Sequence, residues 1–280
     1  MKPTLAVLAP GAMGAALAAR LVAGGADVVT VLDGRSAHTI ERARVAGMRD
    51  VPLARIPDAD VVLSVVPPSQ VLPLAQRLAP ALAAAAHKPL FVDCNAVNPQ
   101  TVMRLQSVIE PTGATFVDGS LIGMPPREGY GGPTLFVSGA QASRLAALTP
   151  FGLKVHVLDA PVGAASALKM CYGGITKGMI ALASAMMLAS VRHGVDRALL
   201  EEMGRSQAAL LTGFSKSVPD MFGKAARWVP EMQEIAAMIG TEHPEGRMFE
   251  TIAHFYERLA QDQAADGREI QMLAGFFRPS

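Results

Sequence analysis

Short apolar segments alternate with longer segments of helical composition through the first half of the chain. The short segments predict strands, and the segments between them predict helices. Because several strands are apolar throughout, we expect a parallel sheet that is covered on both faces. Strands are predicted at residues 5–8, 28–32, 61–66, 90–93, 115–117, 134–137 and 155–158, and helices at residues 12–23, 39–46, 69–86 and 99–109.

From residue 162 onward the pattern becomes helical, and no segment predicts a strand. Helices are predicted at residues 163–193, 197–213, 215–239 and 246–262, with breaks at Gly194, Gly213, Gly240 and Pro244.

We therefore predict two domains. Residues 1–161 form a Rossmann-type α/β domain with a doubly wound, mostly parallel sheet, and residues 162–280 form an all-helical domain. A long helix from residue 163 joins the two domains. Its uncharged run, residues 178–191, is too short to span a bilayer comfortably and predicts a buried helix.

The composition is that of a folded globular protein, since 50% of the residues are hydrophobic and 18% are charged. The net charge of +1 and the lack of a Lys/Arg cluster argue against nucleic acid as a partner. The two cysteines are too few for a disulfide framework and lack metal-ligand spacing, which favours a reducing cytoplasm. Pro10, Gly11 and Gly14 interrupt the apolar N-terminus, so we expect neither a signal peptide nor a membrane partner.

The first predicted strand leads through a tight turn, Ala9-Pro10-Gly11-Ala12-Met13-Gly14, into the first predicted helix. This order of strand, turn and helix is that of a dinucleotide-binding fingerprint, in which N–H groups at the helix N-terminus bind the pyrophosphate. We expect Gly11, Ala12 and Met13 to approach the pyrophosphate, and Gly14 to let the helix pack closely on the sheet. Ala9 replaces the first glycine of the fingerprint, so a tight turn without a ligand is the alternative.

Residues after two further strands extend the predicted cofactor site. Asp33, after the second strand, is placed to bind a ribose 2′-hydroxyl, which favours NAD. Arg35 and Ser36 suit a 2′-phosphate and favour NADP, which we prefer of the two; a solvated loop is the alternative. Val66 and Pro67, at the end of the next long strand, are also expected to contact the cofactor.

Four ordered segments repeat the motifs of a known family. They are Gly11-Ala-Met-Gly14, Asp93-Cys-Asn-Ala-Val-Asn-Pro99-Gln-Thr101, Val117-Asp118-Gly-Ser-Leu-Ile-Gly123 with Gly132-Pro-Thr134-Leu135, and Gly163-Ala-Ala-Ser166-Ala-Leu-Lys169. On these residues the chain resembles the β-hydroxyacid dehydrogenase superfamily, which contains 6-phosphogluconate and 3-hydroxyisobutyrate dehydrogenases and the imine reductases.

The resemblance implies a nicotinamide-dependent oxidoreductase in which Lys169 is the general acid/base. Hydride reduction of a carbonyl leaves an alkoxide that needs a proton donor, and oxidation needs a base, so a lysine suits this position. The resemblance also implies a homodimer, and a cleft between the two domains for a small hydroxy- or oxo-compound that we expect to carry a carboxylate.

The chain departs from the family motifs where those motifs bind the substrate. Gly173 stands in place of an asparagine, Ile122 in place of a serine, and Asn95-Ala96 in place of Ser-Thr. We therefore expect a substrate that differs from those of the well-known members.

Other polar or small residues remain as candidates to orient that substrate. They are Asn95, Ser120, Gly123 and Tyr172, and Asn95 is also expected to contact the cofactor. The sequence leaves open whether Tyr172, His254 or Tyr256 reaches the pocket.

The sequence thus predicts a cytoplasmic NAD(P)-dependent dehydrogenase or reductase without a metal. An NADPH-dependent imine reductase is the first alternative, and it would not need Lys169, because that group usually lacks a lysine at this position. A catalytically inactive dinucleotide-binding sensor is the second alternative. Ile122 and Gly173 suggest it, whereas the presence of Lys169 argues against it.

Overall fold

The computed structural model describes residues 2–127 and 129–278, which divide into two compact units between Lys169 and Met170. The first unit is built on an eight-stranded sheet of the order β3-β2-β1-β4-β5-β6-β7-β8. Its strands are β1 (Thr4–Leu8), β2 (Asp27–Thr30), β3 (Arg49–Asp50), β4 (Val61–Ser64), β5 (Leu90–Asp93), β6 (Thr115–Ile122), β7 (Thr134–Ser138) and β8 (Lys154–Val157).

The neighbouring strands of this sheet run parallel, apart from the antiparallel pair β6 and β7. The connections are helices α1 (Ala12–Ala23), α2 (Ala37–Val45), α3 (Val71–Ala84) and α4 (Pro99–Ile109), with a 3-10 segment at Ala142–Phe151 before β8. The predicted doubly wound, mostly parallel sheet is confirmed, and the short strand β3 is an addition that the sequence pattern did not reveal.

The two faces of the sheet carry separate apolar cores, because successive residues of a strand point to opposite faces. Leu5 and Val7 of β1 pack in a core that includes residues of α1 and α2. Ala6 and Leu8 pack in a second core that includes residues of α3 and α4. Helices therefore cover both faces, as the apolar strands predict.

The second unit is helical throughout its described residues. Helix α5 (Ala164–Arg192) begins in the first unit and continues into the second, and the sequence places the domain boundary just before this helix, after residue 161. The other helices are α6 (Asp196–Ser206), α7 (Ala208–Phe222), α8 (Ala225–Ile239), α9 (Pro244–Ala264) and α10 (Arg268–Phe276).

The predicted helix break at Gly213 is wrong. Helix α7 continues through Gly213, and the chain breaks instead at Gln207 and near Gly223. A glycine inside a helix costs only about 1 kcal/mol, and burial of Val218 and Met221 on the same helix outweighs that cost. Helix α10 was also missed.

The prediction that residues 178–191 of α5 are buried holds for one face of the helix and is wrong for the other. Ala181, Ser184 and Leu188 are buried, whereas Leu182 is 65% exposed. Helix α5 is long and apolar enough to span a membrane. Length and composition of one helix are weak evidence for such a span, because core helices of globular proteins share them.

A cluster of polar and aromatic side chains joins α5, α8 and α9 within the second unit. The hydroxyl of Tyr256 donates a hydrogen bond of 2.6 Å to the carbonyl of Lys177, and its ring packs edge-on against Trp228. The Lys177 ammonium lies 5.4 Å from the centre of the Trp228 ring and pairs with Glu231. Tyr256 therefore holds these helices together, and burial raises the pKa of its hydroxyl.

Candidate active site

The predicted dinucleotide turn has the geometry that a pyrophosphate requires. Helix α1 begins directly after Gly11, and its first turn carries no acidic side chain, so its free N–H groups favour an anion. A Cβ atom added to Gly11 would meet none of the described atoms within 4 Å, so the space in front of the helix is open. At Gly14 a Cβ would lie 2.1 Å from the Ala9 carbonyl oxygen, so only glycine lets α1 approach β1 this closely. These residues fit a dinucleotide.

The residues after β2 are exposed, and one of them has a structural role. The Ser36 hydroxyl accepts a hydrogen bond of 3.3 Å from the Thr39 N–H and caps helix α2. Asp33 and Arg35 are exposed beside it. The two groups that favour different cofactors are therefore both accessible.

A small cavity of about 130 Å³ lies beside the dinucleotide turn. Ala9 of the turn lines it together with Arg35, Val66 and Pro67, three predicted cofactor residues that follow two different strands. Arg77 of helix α3 also lines the cavity, and the sequence did not indicate this position, because an exposed arginine in an ordinary helix gives no signal.

A row of four buried polar residues crosses the sheet next to the turn. Ser64 of β4 pairs in register with Asp93 of β5, Asp93 with Asp118 of β6, and Asp118 with Ser138 of β7. Residues paired in this way present their side chains on the same face of a sheet. We call these four residues the polar row; each is at most 1% exposed.

The polar row fixes the first turn of helix α5. The Asp118 carboxylate accepts hydrogen bonds from the N–H groups of Gly163 and Ser166, at 2.9 and 3.1 Å, and from the Ser166 hydroxyl at 2.6 Å. The Ser138 hydroxyl donates to Asp118 and accepts from the Ala165 N–H. A carboxylate at the N-terminus of a helix is favoured by the helix dipole and by its unpaired N–H groups.

Lys169 follows Ser166 by three residues, so the two side chains lie on the same side of the helix. The lysine is partly buried and close enough to Asp93 for its charge to act on that carboxyl group. Lys169 is therefore near Asp93, the last residue of β5, at the edge where open α/β sheets bind their ligands.

Asn95 has its side-chain amide engaged within the protein. Its Nδ2 donates to the Ser64 hydroxyl and to Asp93, and its Oδ1 accepts a hydrogen bond of 2.6 Å from the Val66 N–H. Asn95 therefore ties the end of β5 to the segment that lines the cavity beside the turn. The proposed contacts of Asn95 with substrate and cofactor stay predictions. One lone pair of Oδ1 remains to accept a further hydrogen bond.

Burial raises the pKa of Asp93 to about 7. The hydrogen bond from Asn95 opposes this effect, the negative charge of Asp118 adds to it, and the positive charge of Lys169 opposes it. One oxygen of this carboxyl group, Oδ2, receives no hydrogen bond from the described residues. Such a group changes its protonation near neutral pH.

The other predicted substrate residues lie in different surroundings. Ser120 lies on the same face of β6 as Asp118, two residues further on, and is completely buried. Gly123 has a φ of +129°, and a Cβ there would lie 2.6 Å from the Tyr130 hydroxyl. Tyr172 belongs to the second unit and is 53% exposed. Their roles in binding a substrate stay predictions.

The two further residues that the sequence left open differ in exposure. His254 is exposed on α9, whereas the Tyr256 hydroxyl is engaged with the Lys177 carbonyl.

Asp93 and Asp118 belong to sequence motifs, but the motifs do not indicate their connection with Ser64, Ser138 and Ser166. Serines within apolar strands and at a helix start give a weak signal, and only the register of the sheet reveals that they meet.

Comparison with protein families identifies the first unit. Residues 4–151, just over half of the chain, match the NAD binding domain of 6-phosphogluconate dehydrogenase. The chain belongs to this family, and the matched residues include the turn, the residues that line the cavity and all four residues of the polar row. Residues 191–259 match a domain of unknown function, DUF1932.

Two similar proteins cover nearly the whole chain. An uncharacterised 28.5 kDa protein of Methanothermus fervidus is 26% identical over 84% of this chain and 90% of its own length. A conserved protein of unknown function, whose structure is described as similar to 3-hydroxyacid dehydrogenases, is 29% identical. That structure has a TM-score of 0.74 and covers 94% of this chain and 99% of its own.

Structures of enzymes share the fold at lower identity. The 3-hydroxyisobutyrate dehydrogenase of Mycobacterium tuberculosis, solved with L-serine, is 21% identical, with a TM-score of 0.73 over 99% of this chain and 100% of its own. An imine reductase of Myxococcus stipitatus, solved with NADP+, is 17% identical, with a TM-score of 0.55 over 99% of this chain and 100% of its own. The predicted fold class and family are confirmed.

Proposed function

We propose that the protein is an NAD(P)-dependent dehydrogenase or reductase of a small hydroxy- or oxo-compound, and that Lys169 transfers the proton. The observation that carries the proposal is the position of Lys169 on the turn of α5 that follows Ser166, which Asp118 holds on the sheet. The family membership of the chain supports the cofactor class.

A bound nicotinamide would supply a hydride to the substrate carbon or accept one from it. In the reducing direction the Lys169 ammonium donates a proton to the substrate oxygen, and in the oxidising direction the Lys169 amine accepts the proton of the substrate hydroxyl. Ala12 and Met13 would hold the pyrophosphate through their backbone N–H groups, and Gly11, whose own N–H is bonded to the Ala9 carbonyl, would leave space for it. In this proposal the substrate carries a carboxylate, because the proteins that this chain resembles are named for hydroxy acids.

The test of this proposal compares Lys169→Ala with Lys216→Ala, which removes an exposed lysine of α7. Turnover is followed by nicotinamide absorbance with small hydroxy acids, the corresponding oxo acids and cyclic imines. We expect Lys169→Ala to lower kcat by about a hundredfold or more, with nucleotide binding and the control variant unchanged. Near wild-type turnover of an imine by Lys169→Ala would replace the proposal with an imine reductase.

We propose that NADP is the preferred cofactor. Arg35 and Arg77 both line the cavity beside the turn. Two guanidinium groups bind the 2′-phosphate of NADP more strongly than the 2′-hydroxyl of NAD. Titration of the protein with NADPH and with NADH tests this preference. Binding of neither nucleotide would remove the basis for an oxidoreductase, and tight binding without turnover of any substrate would favour a sensor.

We also propose a cytoplasmic homodimer that forms through the second unit. The large exposed side chains of α5 recur at spacings of three and four residues: Tyr172, Ile175, Met179, Leu182 and Met186. This α5 stripe spans fifteen residues, about 21 Å of helix from the first to the last, and borders a groove of about 710 Å³ that α9 completes with Phe249, Ile252 and Phe255.

A second copy of the chain is the occupant that we infer for this groove. The α5 stripe is uncharged and follows the spacing that packs one helix against another, and a two-fold axis would place the same stripe on both partners. Contiguous exposed apolar surface of this kind marks an interaction site in a globular protein. Gly174 and Gly178 accommodate the Phe249 ring of α9, which forms one wall of the groove. The molar mass in solution tests this inference.

A further inference from the structure

Asp93 has features that its place in the sheet does not require. A carboxyl group at the end of a parallel strand usually reaches solvent or is fully hydrogen-bonded, because an unpaired buried charge is costly. Asp93 is completely buried, Oδ1 accepts from Asn95, and Oδ2 receives no hydrogen bond from the described residues. Neither Ser64 nor Asn95 requires an acid as its neighbour, because a neutral side chain would also accept the hydrogen bond that Asn95 donates to Asp93.

The charged groups that act on Asp93 differ in sign. Asp118 lies beside it in register on β6, and Cys94 follows it in the chain; neither carries a positive charge. From α5, the Lys169 charge acts on Asp93 in the stabilising direction. Asp118 fixes the start of α5 by three hydrogen bonds and pairs in register with Asp93, so the sheet holds the turn of α5 that precedes Lys169 beside Asp93.

We propose that Asp93 is a positioning residue for Lys169: its buried carboxylate attracts the ammonium group and holds Lys169 charged at the carboxyl edge of the sheet. This inference rests on the proposed role of Lys169 as the acid/base residue. Asp93 does not touch the substrate in this arrangement. It acts through Lys169 and favours the protonated form, which is the form that reduction consumes.

The pH behaviour of the pair follows from these charges. Burial raises the pKa of Asp93 to about 7, so the carboxylate is present in the neutral to alkaline range in which a lysine loses its proton. Removal of the carboxylate while its shape is kept takes away the attraction for the ammonium, so Lys169 then loses its proton at lower pH.

The experiment measures Lys169 itself in the whole protein, without cofactor or substrate. Lysines are ¹³C-methylated, the Lys169 signal is assigned by its absence from Lys169→Arg, and its chemical shift is followed against pH by NMR. Asp93→Asn replaces the carboxylate with an amide of the same shape. Ser64→Ala is the matched control, because it removes a hydrogen bond from the same Asn95 amide without a change of charge.

We expect Asp93→Asn to move the Lys169 titration midpoint down by roughly one pH unit and Ser64→Ala to leave it unchanged. The pH profile of kcat in the reducing direction is expected to shift by the same amount. An unchanged midpoint in Asp93→Asn, or an equal shift in Ser64→Ala, would overturn the proposal. Should Asp93→Asn fail to fold, Lys169→Met offers the reverse measurement: the infrared carboxyl band of Asp93 is then expected to persist to higher pH, and its failure to do so overturns the proposal.

This outcome is separable from the proposed function. A shifted midpoint together with full activity of Lys169→Ala supports the pair and rejects the catalytic role of Lys169. An unshifted midpoint together with an inactive Lys169→Ala rejects only the pair.

Discussion

Asp118 of strand β6 accepts hydrogen bonds from both the backbone N–H and the hydroxyl of Ser166 on helix α5. The same oxygen that accepts from the Ser166 N–H also accepts from the Gly163 N–H, so one buried carboxylate satisfies two N–H groups at the start of a 29-residue helix. Since Lys169 lies on the next turn, its position depends on this contact.

We predict that Asp118→Asn destabilises the protein by about 3 kcal/mol. The amide has a single acceptor oxygen, so at least one buried donor at the start of α5 loses its partner, and the remaining hydrogen bonds lose the assistance of the negative charge. Urea unfolding followed by circular dichroism measures the change. Glu202→Gln, which breaks an exposed ion pair with Arg205, is the control and should leave the midpoint unchanged. Equal midpoints for the two variants would show that the carboxylate is not needed to hold α5.

Asp93 should make stability depend on pH in a defined direction. Because the pKa of Asp93 is about 7 in the folded protein and 3.8 as a model value, only the folded protein holds this proton between these values. The free energy of unfolding therefore falls as pH rises through this window. Asp93→Asn removes the effect, so its stability relative to the wild type should rise by up to about 4 kcal/mol between about pH 4 and pH 8.

Chemical unfolding at the two ends of this pH range measures the difference. Asp58→Asn, at a carboxylate that is half exposed, serves as the control and should show no such rise. A relative stability of Asp93→Asn that stays level, or falls with pH, would mean that Asp93 is ionised across the whole range.

The sequence predicted the strands and helices of the first unit closely, since α1, α4 and β5 have the expected bounds. Apolar periodicity and turn residues are local signals, and these elements depend on them. The polar row was not predictable in the same way. Asp93 and Asp118 are 25 residues apart in the chain, and only the pairing of β5 with β6 places them side by side.

The helical domain shows the opposite limit of local signals. Gly213 predicts a break that packing removes. The apolar composition of α5 predicts burial on all sides, because composition gives the apolar content of a helix but not what covers each face. Arg77 illustrates a third limit, since its place beside the dinucleotide turn depends on how α3 packs rather than on any motif.

Arg35→Ala should weaken NADPH binding by about tenfold or more and change NADH binding little. The guanidinium attracts a 2′-phosphate, which NADH lacks, and tenfold corresponds to about 1.4 kcal/mol. Arg77→Ala should act in the same direction. Calorimetric titration with both nucleotides measures the two affinities, and Arg44→Ala, which removes an exposed charge from α2, controls for a general change in net charge. Equal losses for NADPH and NADH would instead assign Arg35 to the adenine or the pyrophosphate.

Leu182→Glu should convert the proposed dimer into monomers. Leu182 is the fourth residue of the α5 stripe and is 65% exposed. A glutamate there would be solvated in a monomer, but a second copy that covers the stripe would bury its charge without a partner. Light scattering after size exclusion gives the molar mass. Leu210→Glu, at an exposed leucine of α7 outside the stripe, is the control and should remain dimeric. A wild-type protein that is monomeric at all concentrations would exclude the second copy as the occupant of the groove.

The two glycines of the dinucleotide turn should respond differently to the same added methyl group. In Gly14→Ala the methyl meets the Ala9 carbonyl oxygen, so α1 must move away from β1, and we expect a loss of stability of about 1–3 kcal/mol together with loss of nucleotide binding. In Gly11→Ala the methyl points into open space, and the φ of −68° at Gly11 is allowed for alanine, so the melting temperature should change little. That open space is where we place the pyrophosphate, so nucleotide binding should still weaken by about tenfold or more.

Thermal unfolding and nucleotide titration of both variants separate the two effects. If Gly11→Ala binds nucleotide as tightly as the wild type, the pyrophosphate does not lie in front of helix α1.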